Sequence, residues 1–183
     1  MDDTLLMLRL KKGDEGAFRE IIDLYQKPIL NLCFRYVANQ QDAEEVTQDV
    51  FIHLYRSAAK YQPTARLSTY LYRIAVNLSL NRIRDRKRRR VFSLDTMKSE
   101  RHDEPAAPEA SPDTQLEQKE MREKVREILD TLPENQKTAV LLKRFEGLSY
   151  DEIAEVMQCS VSSVESLLHR AKVNLQKKLK ILA

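Results

Sequence analysis

The sequence predicts an all-α protein: two small helical domains joined by a flexible linker, the C-terminal one containing a helix-turn-helix. Three observations lead there. Gly totals only 3 in 183 residues and Trp is absent, which disfavours a turn-rich β-protein. Apolar residues recur at three- and four-residue spacing on both sides of a central stretch. That stretch, "SLDTMKSERHDEPAAPEASPDT" (93–114), has no such period and holds three of the six prolines. Its composition cannot bury enough surface to offset ordering, and its prolines bias it towards extended conformations. The expected domains are therefore 1–92 and 115–183, with 93–114 as an acidic tether.

Bulk composition narrows the function. Hydrophobic residues make up 42% and charged residues 32%, as in a chain rich in solvated helices. The net charge of +3 is unevenly spread: +6 over 1–92, −4 over 93–114 and +1 over 115–183. No stretch approaches the roughly 20 apolar residues of a membrane span, so no stable membrane insertion is expected. The start, "MDDTLLMLRLKKGDEGAF", lacks a basic-then-apolar signal. Cys33 and Cys159 lie far apart and among apolar residues, so small buried side chains are expected rather than zinc or redox chemistry. A cytoplasmic location fits. No nucleophile–base set, phosphate loop or metal cluster is present, and His53, His102 and His169 are scattered. No enzyme activity, catalytic residue, metal or cofactor is expected.

The elements follow in order. A first helix through Leu5, Leu6, Leu8 and Leu10 should break near Gly13. Phe18, Ile21, Ile22, Tyr25, Ile29, Cys33 and Val37 then recur at helical spacing, with Pro28 either kinking this helix or starting a new turn. "ANQQDAEE" reads as a break in which Asp42 caps the next helix and Glu45 takes the reciprocal position. That helix should bury Val46, Val50 and Leu54. After "KYQPTARLST", a long helix from Tyr70 should bury Leu71, Ile74, Ala75 and Leu78. In the second half, Leu116, Val125, Ile128, Leu129 and Leu132 suggest an amphipathic helix. Pro133 suits the first turn of another, which runs through Ala139, Val140, Leu142 and Phe145 and stops at Gly147.

Ser149 and Glu152 then form a capping box at the start of "LSYDEIAEVMQCSVSSVESLLHRAK" (148–172). Ile153, Ala154 and Met157 face inward, Gln158, Cys159 and Ser160 form a tight turn, and Ser160 caps the following helix. Val161, Val164, Leu168, Ala171 and Leu175 make one stripe of that helix, so Ser162, Ser166, His169 and Arg170 point away from it. Capping box, small Ala154, short turn and basic tail together favour DNA binding over a plain helical hairpin. Glu165 falls on the flank. It can accept from a cytosine amino group, pair with His169, or orient Lys172, and the ion pair is the expected role.

"NRIRDRKRRR" (81–90) has seven basic residues and one acid. It continues the helix that carries Tyr70 and Tyr72, after a loop holding Tyr61. Rings beside cations offer unstacked bases a stacking surface and a backbone attractor; the competing expectation is that these rings belong to the core. Asn77 and Asn81 lie one turn apart off the buried face, with amides suited to base edges.

Two such modules on a tether suggest two separated contacts on one DNA, and here the chain resembles the extracytoplasmic-function sigma factors of bacterial RNA polymerase. "KGDEGAFREIIDLY", "DAEEVTQDVFIHLYR", "LSTYLYRIAVNLSLNRIRDRKRRR" and "LPENQKTAVLLKRFEGLSYDEIAEVMQCSVSSVESLLHRAK" are similar, in order, to that family's motifs. The resemblance implies a non-enzymatic subunit that binds core RNA polymerase and promoter DNA, and an anti-sigma factor partner that could hold it at the membrane. It implies core-polymerase docking by Glu45, Gln48 and Asp49. For the melted minus-10 strand it implies Tyr61, Gln62, Tyr70, Tyr72, Asn77, Asn81, Arg84, Lys87 and Arg88. For the duplex minus-35 element it implies Ser162, Ser163, Glu165, Ser166, His169, Arg170 and Lys172. The family usually has Trp where Tyr70 stands, and basic residues where Glu165 and Leu167 stand. A stand-alone helix-turn-helix regulator is the alternative reading of the same motifs.

Overall fold

The computed structural model describes residues 3–61, 66–92, 121 and 123–182. These residues are helical, with no strand among them. The chain divides into two compact units, Met1–Asp103 and Glu104–Ala183. The stretch 93–114, Gln62 and Leu116 lie outside the described residues.

In the first unit, α1 (Asp3–Lys11) packs on α2 (Glu15–Val37). It buries Leu6, Met7 and Leu10, while Leu5 and Leu8 face solvent. That corrects the expected leucine stripe, because the helical phase joins Leu6 and Leu10 through Met7. Gly13 turns the chain at φ +85°, a conformation other residues rarely adopt. The Asp14 side chain then caps α2 by accepting from the Gly16 and Ala17 amides. Arg9 ties this corner together, donating to Asp14 at 2.8 Å and Glu20 at 3.0 Å. The Tyr25 hydroxyl donates to Asp3 at 2.7 Å. α2 runs on through Pro28 to a left-handed Ala38, φ +56°.

α3 (Gln40–Ser57) begins three residues earlier than a helix capped by Asp42 would. Asn39, not Asp42, is the cap, and its side chain accepts from the Asp42 amide at 2.7 Å. Asn39 holds the extended backbone a cap needs, which leaves Asp42 and Glu45 for other partners. A short 3-10 turn (Ala58–Lys60) follows. α4 (Leu67–Phe92) packs against both α2 and α3. Two neighbours bury two faces: Leu71, Ile74 and Ala75 as expected, and also Tyr72, Val76 and Ser79. Leu78 is half-buried.

In the second unit, helix α5 (123–130) leaves Val125 exposed. α6 (Glu134–Arg144) starts just after Pro133, which sits at the cap rather than inside the first turn. It buries Ala139, Leu141 and Leu142, whereas Val140 is half-buried and Phe145, past its end, is exposed. Gly147 turns the chain at φ +68°. α7 (Tyr150–Met157) carries the full capping box of Ser149 and Glu152. Val156 takes the fully buried place expected of Met157, which is half-buried. Gln158 supplies the left-handed residue of the turn, φ +52°, and the Cys159 amide closes it onto the Ala154 carbonyl at 3.0 Å. Cys33 is buried, but Cys159 is only half-buried because it sits on this turn. α8 (Val161–Leu182) lies on α6 and α7 through Val164 and Ala171. A polar bond from the Asn174 amide to buried Gln136, 2.9 Å, adds to it.

Candidate nucleic-acid interface

The inner stripe of α4 is apolar at its start and cationic further on. Leu71, Ala75, Leu78, Arg82 and Arg86 repeat at helical spacing. Opposite the last two, α3 presents acids. Arg82 donates to Glu45, its guanidinium also lies 3.5 Å from Asp42, and Arg86 lies 3.8 Å from Asp42. Arg82, with support from Gln41, holds the Glu45 carboxyl below the usual carboxylate range. Glu45, expected on an outward face, is thus half-exposed and engaged inside the unit. Gln48 and Asp49 are exposed.

The outer stripe is of another kind. Asn77, Asn81, Arg84 and Arg88 fall on one helical line and are all exposed, as is Lys87. The basic run therefore divides by phase. Arg82 and Arg86 brace α4 on α3, while Arg84, Lys87 and Arg88 face outward.

Of the three tyrosines, Tyr61 and Tyr72 are buried, at 7% and 8% exposure, and Tyr70 is half-buried. Tyr61 packs edge-on against Tyr70 at 5.6 Å, and burial raises its phenol pKa. The Lys11 ammonium donates to the Tyr61 carbonyl at 3.4 Å. The Arg73 guanidinium lies 5.8 Å from the Tyr70 ring centre. As the chain stands, Tyr70 is the ring of the three that reaches the surface.

Ile52, on the same exposed face of α3 as Gln48 and Asp49, is 45% exposed. It falls out of phase with the Val46, Val50 and Leu54 stripe, and that phase is the sequence signal for its exposure.

Over residues 161–172 of α8 the exposed side chains are Ser162, Glu165, Ser166, His169, Arg170 and Lys172, with Ser163 half-buried. Ser160 caps this helix as expected, accepting from the Ser163 amide at 3.2 Å. Its hydroxyl also lies 3.0 Å from that of Ser162 and 2.8 Å from that of Ser163. The expected ion pair of Glu165 does not form among the described residues. Ordering two exposed side chains offsets most of what such a pair gains. The acid is left on the outward face among hydroxyls and cations.

Fold and surfaces define a helix-turn-helix protein of two helical units, each with an outward polar and cationic helix face. Residues 21–89 match the family profile of Sigma-70 region 2, and residues 122–175 that of Sigma-70 region 4. The chain is 36% identical over 180 residues to the RNA polymerase sigma-H factor of Pseudomonas aeruginosa, covering 97% of this chain and 93% of that one. It is 31% identical over 175 residues to the ECF RNA polymerase sigma factor SigW of Bacillus subtilis, covering 94% of each. Its fold is similar to that of the sigma factor RpoE of Bartonella quintana, solved with the anti-sigma factor NepR. The TM-score is 0.68 at 21% identity, over 90% of this chain and 97% of that one.

The chain belongs to the extracytoplasmic-function sigma factors. As such it directs core RNA polymerase to promoter DNA and is not an enzyme. No described helix is long and apolar enough to cross a membrane.

Proposed function

We propose that the two units divide promoter reading between them. α8 enters the major groove of the minus-35 duplex, with Ser162, Ser166, His169 and Arg170 nearest the DNA and Ser163 and Lys172 at its border. α4 takes the melted minus-10 strand. Tyr70 offers a stacking ring, Asn77 and Asn81 offer amides to base edges, and Arg84, Lys87 and Arg88 hold phosphates. Tyr61 and Tyr72 serve this site from the core, supporting the helix rather than stacking on bases. Gln48 and Asp49, joined by Ile52, dock on the polymerase, and Glu45 acts by fixing α4 through Arg82. Glu165 sits where it can accept from a cytosine amino group.

An anti-sigma factor covering the docking faces is the further partner, and a membrane-held form of that partner is one way to keep the protein in reserve in the cytoplasm. The observation that carries this reading is the single exposed line Asn77–Asn81–Arg84–Arg88, amides followed by cations along one helix face.

The test is reconstitution with core polymerase on a promoter library. The expected result is opening that depends on this chain, with little specific duplex binding by the chain alone. Tight duplex binding by a dimer without polymerase supports the stand-alone regulator instead.

A further inference from the structure

Tyr70 is held by a bond that reaches across to α3. Its hydroxyl lies 2.9 Å from the Ser57 hydroxyl, and Ser57 in turn donates to the Leu54 carbonyl at 3.1 Å. A serine hydroxyl has one proton. With that proton on Leu54, Tyr70 is the donor and Ser57 the acceptor, so the order of the chain is fixed: Tyr70 to Ser57 to Leu54.

Ser57 precedes the 3-10 turn but its side chain makes no cap bond there. Its oxygen serves the tyrosine instead. Tyr61 closes on the ring edge-on and Arg73 sits over it, so the ring is fixed at its tip, at one side and over one face.

We infer that Ser57 is a positioning residue for Tyr70: it accepts from the phenol and thereby holds the half-exposed ring in the orientation that a base from the melted strand stacks on. This deepens the minus-10 reading above and rests on it. A half-exposed ring on a helix has rotamer freedom that stacking must remove. A partner that removes it beforehand leaves more of the stacking gain for holding the strand open. The bond joins the last residue of α3 to the first turn of α4, so the ring is referenced to a neighbouring helix and not only to its own.

The experiment uses the full chain with core RNA polymerase and a promoter carrying a fluorescent base analogue in its minus-10 element. Tyr70→Phe keeps the ring and removes the hydroxyl, and Ser57→Ala removes the acceptor. Each is expected to slow opening about fivefold, the size of one net hydrogen bond. The double variant should be no slower than either single one, because both remove the same bond. Ser57→Thr, which keeps a hydroxyl, should recover most of the rate. Polymerase binding by every variant should match the parent chain, which separates positioning from a folding defect. Tyr70→Ala is the control for the underlying reading and should be slower than Tyr70→Phe. If Tyr70→Ala slows opening while Tyr70→Phe and Ser57→Ala leave it unchanged, the ring matters but its anchoring does not, and this inference fails alone. Single effects that multiply in the double variant overturn it as well. If Tyr70→Ala also opens at the parent rate, the minus-10 reading of this ring fails with it.

Discussion

Helices α4 and α8, of 26 and 22 residues, are the two long carriers of outward cationic faces, yet they are held in place by different means. α4 lies against two neighbours, and its apolar inner stripe gives way to arginines that meet acids on α3. α8 rests on α6 and on the short α7, through Val164, Ala171 and the Gln136–Asn174 bond. α7 has only eight residues, too few to be stable by itself. It depends on its capping box and on Ile153, Ala154 and Val156. The difference teaches what each helix depends on: α4 on an apolar stripe extended by arginine–carboxylate pairs, α8 on a few apolar contacts and on the caps of α7.

The strongest way to break that contrast is Ile153→Ala. Ile153 is fully buried on α7, which packs on both α6 and α8, and truncation of such a residue costs about 2–5 kcal/mol. That is a large part of the stability of a small domain. Urea melts should show the C-terminal unit unfolding much earlier and the N-terminal unit unmoved. Preference for the minus-35 element should vanish with it. An equal loss in both units removes the contrast.

Next in size is Arg82→Ala, which strips Asp42 and Glu45 of their shared partner. Here the first unit should melt earlier, and the effect should depend on pH. Because Arg82 lowers the folded-state pKa of Glu45 from its ordinary value of 4.5, the stabilisation is present above that value. It fades as pH falls through that value and then through the lower folded-state one. The variant and parent should therefore differ at neutral pH and converge in acid. Glu45→Gln should flatten the same part of the parent's pH profile. A gap that persists unchanged at low pH points to lost packing by the arginine stem instead.

Ser149→Ala removes one half of the α7 capping box and should cost about 1 kcal/mol, read as a small shift in the melt of the second unit only. Smallest of all is Glu165→Ala. It should leave both melts unmoved and change the preference at a single minus-35 base pair by severalfold. An unchanged preference at every position excludes Glu165 as a base reader.

Much of the fold was legible because apolar periodicity reports burial directly. Val46, Val50 and Leu54 lie where their spacing puts them, and so does the Ser149 box. What the spacing hid was the number of neighbours. A helix covered on two sides buries a second stripe, and so Tyr72 went inward while looking like one more ring beside cations. The cap of α3 is hidden in the sequence for a related reason. Asn39 and Asp42 are both good caps, and only a long-range partner, Arg82, shows why Asp42 is used elsewhere. The division of the basic run could have been found. Continuing the phase of Leu71, Ala75 and Leu78 lands on Arg82 and Arg86, whereas Asn77 and Asn81 lead to Arg84 and Arg88. The expected pairing of Glu165 failed because adjacency on a helix surface gives only a few tenths of a kcal/mol, too little to order two exposed side chains.

Ser57 meets Tyr70, and Glu45 meets Arg82, twelve residues further on along each of two antiparallel helices. The two bonds thus act as a gauge about 18 Å long. One residue added between them on either helix swings everything beyond it by about 100° and breaks one bond or the other. α3 and α4 are therefore held to one common length in this interval, and a graft of either from a relative should be made with its companion.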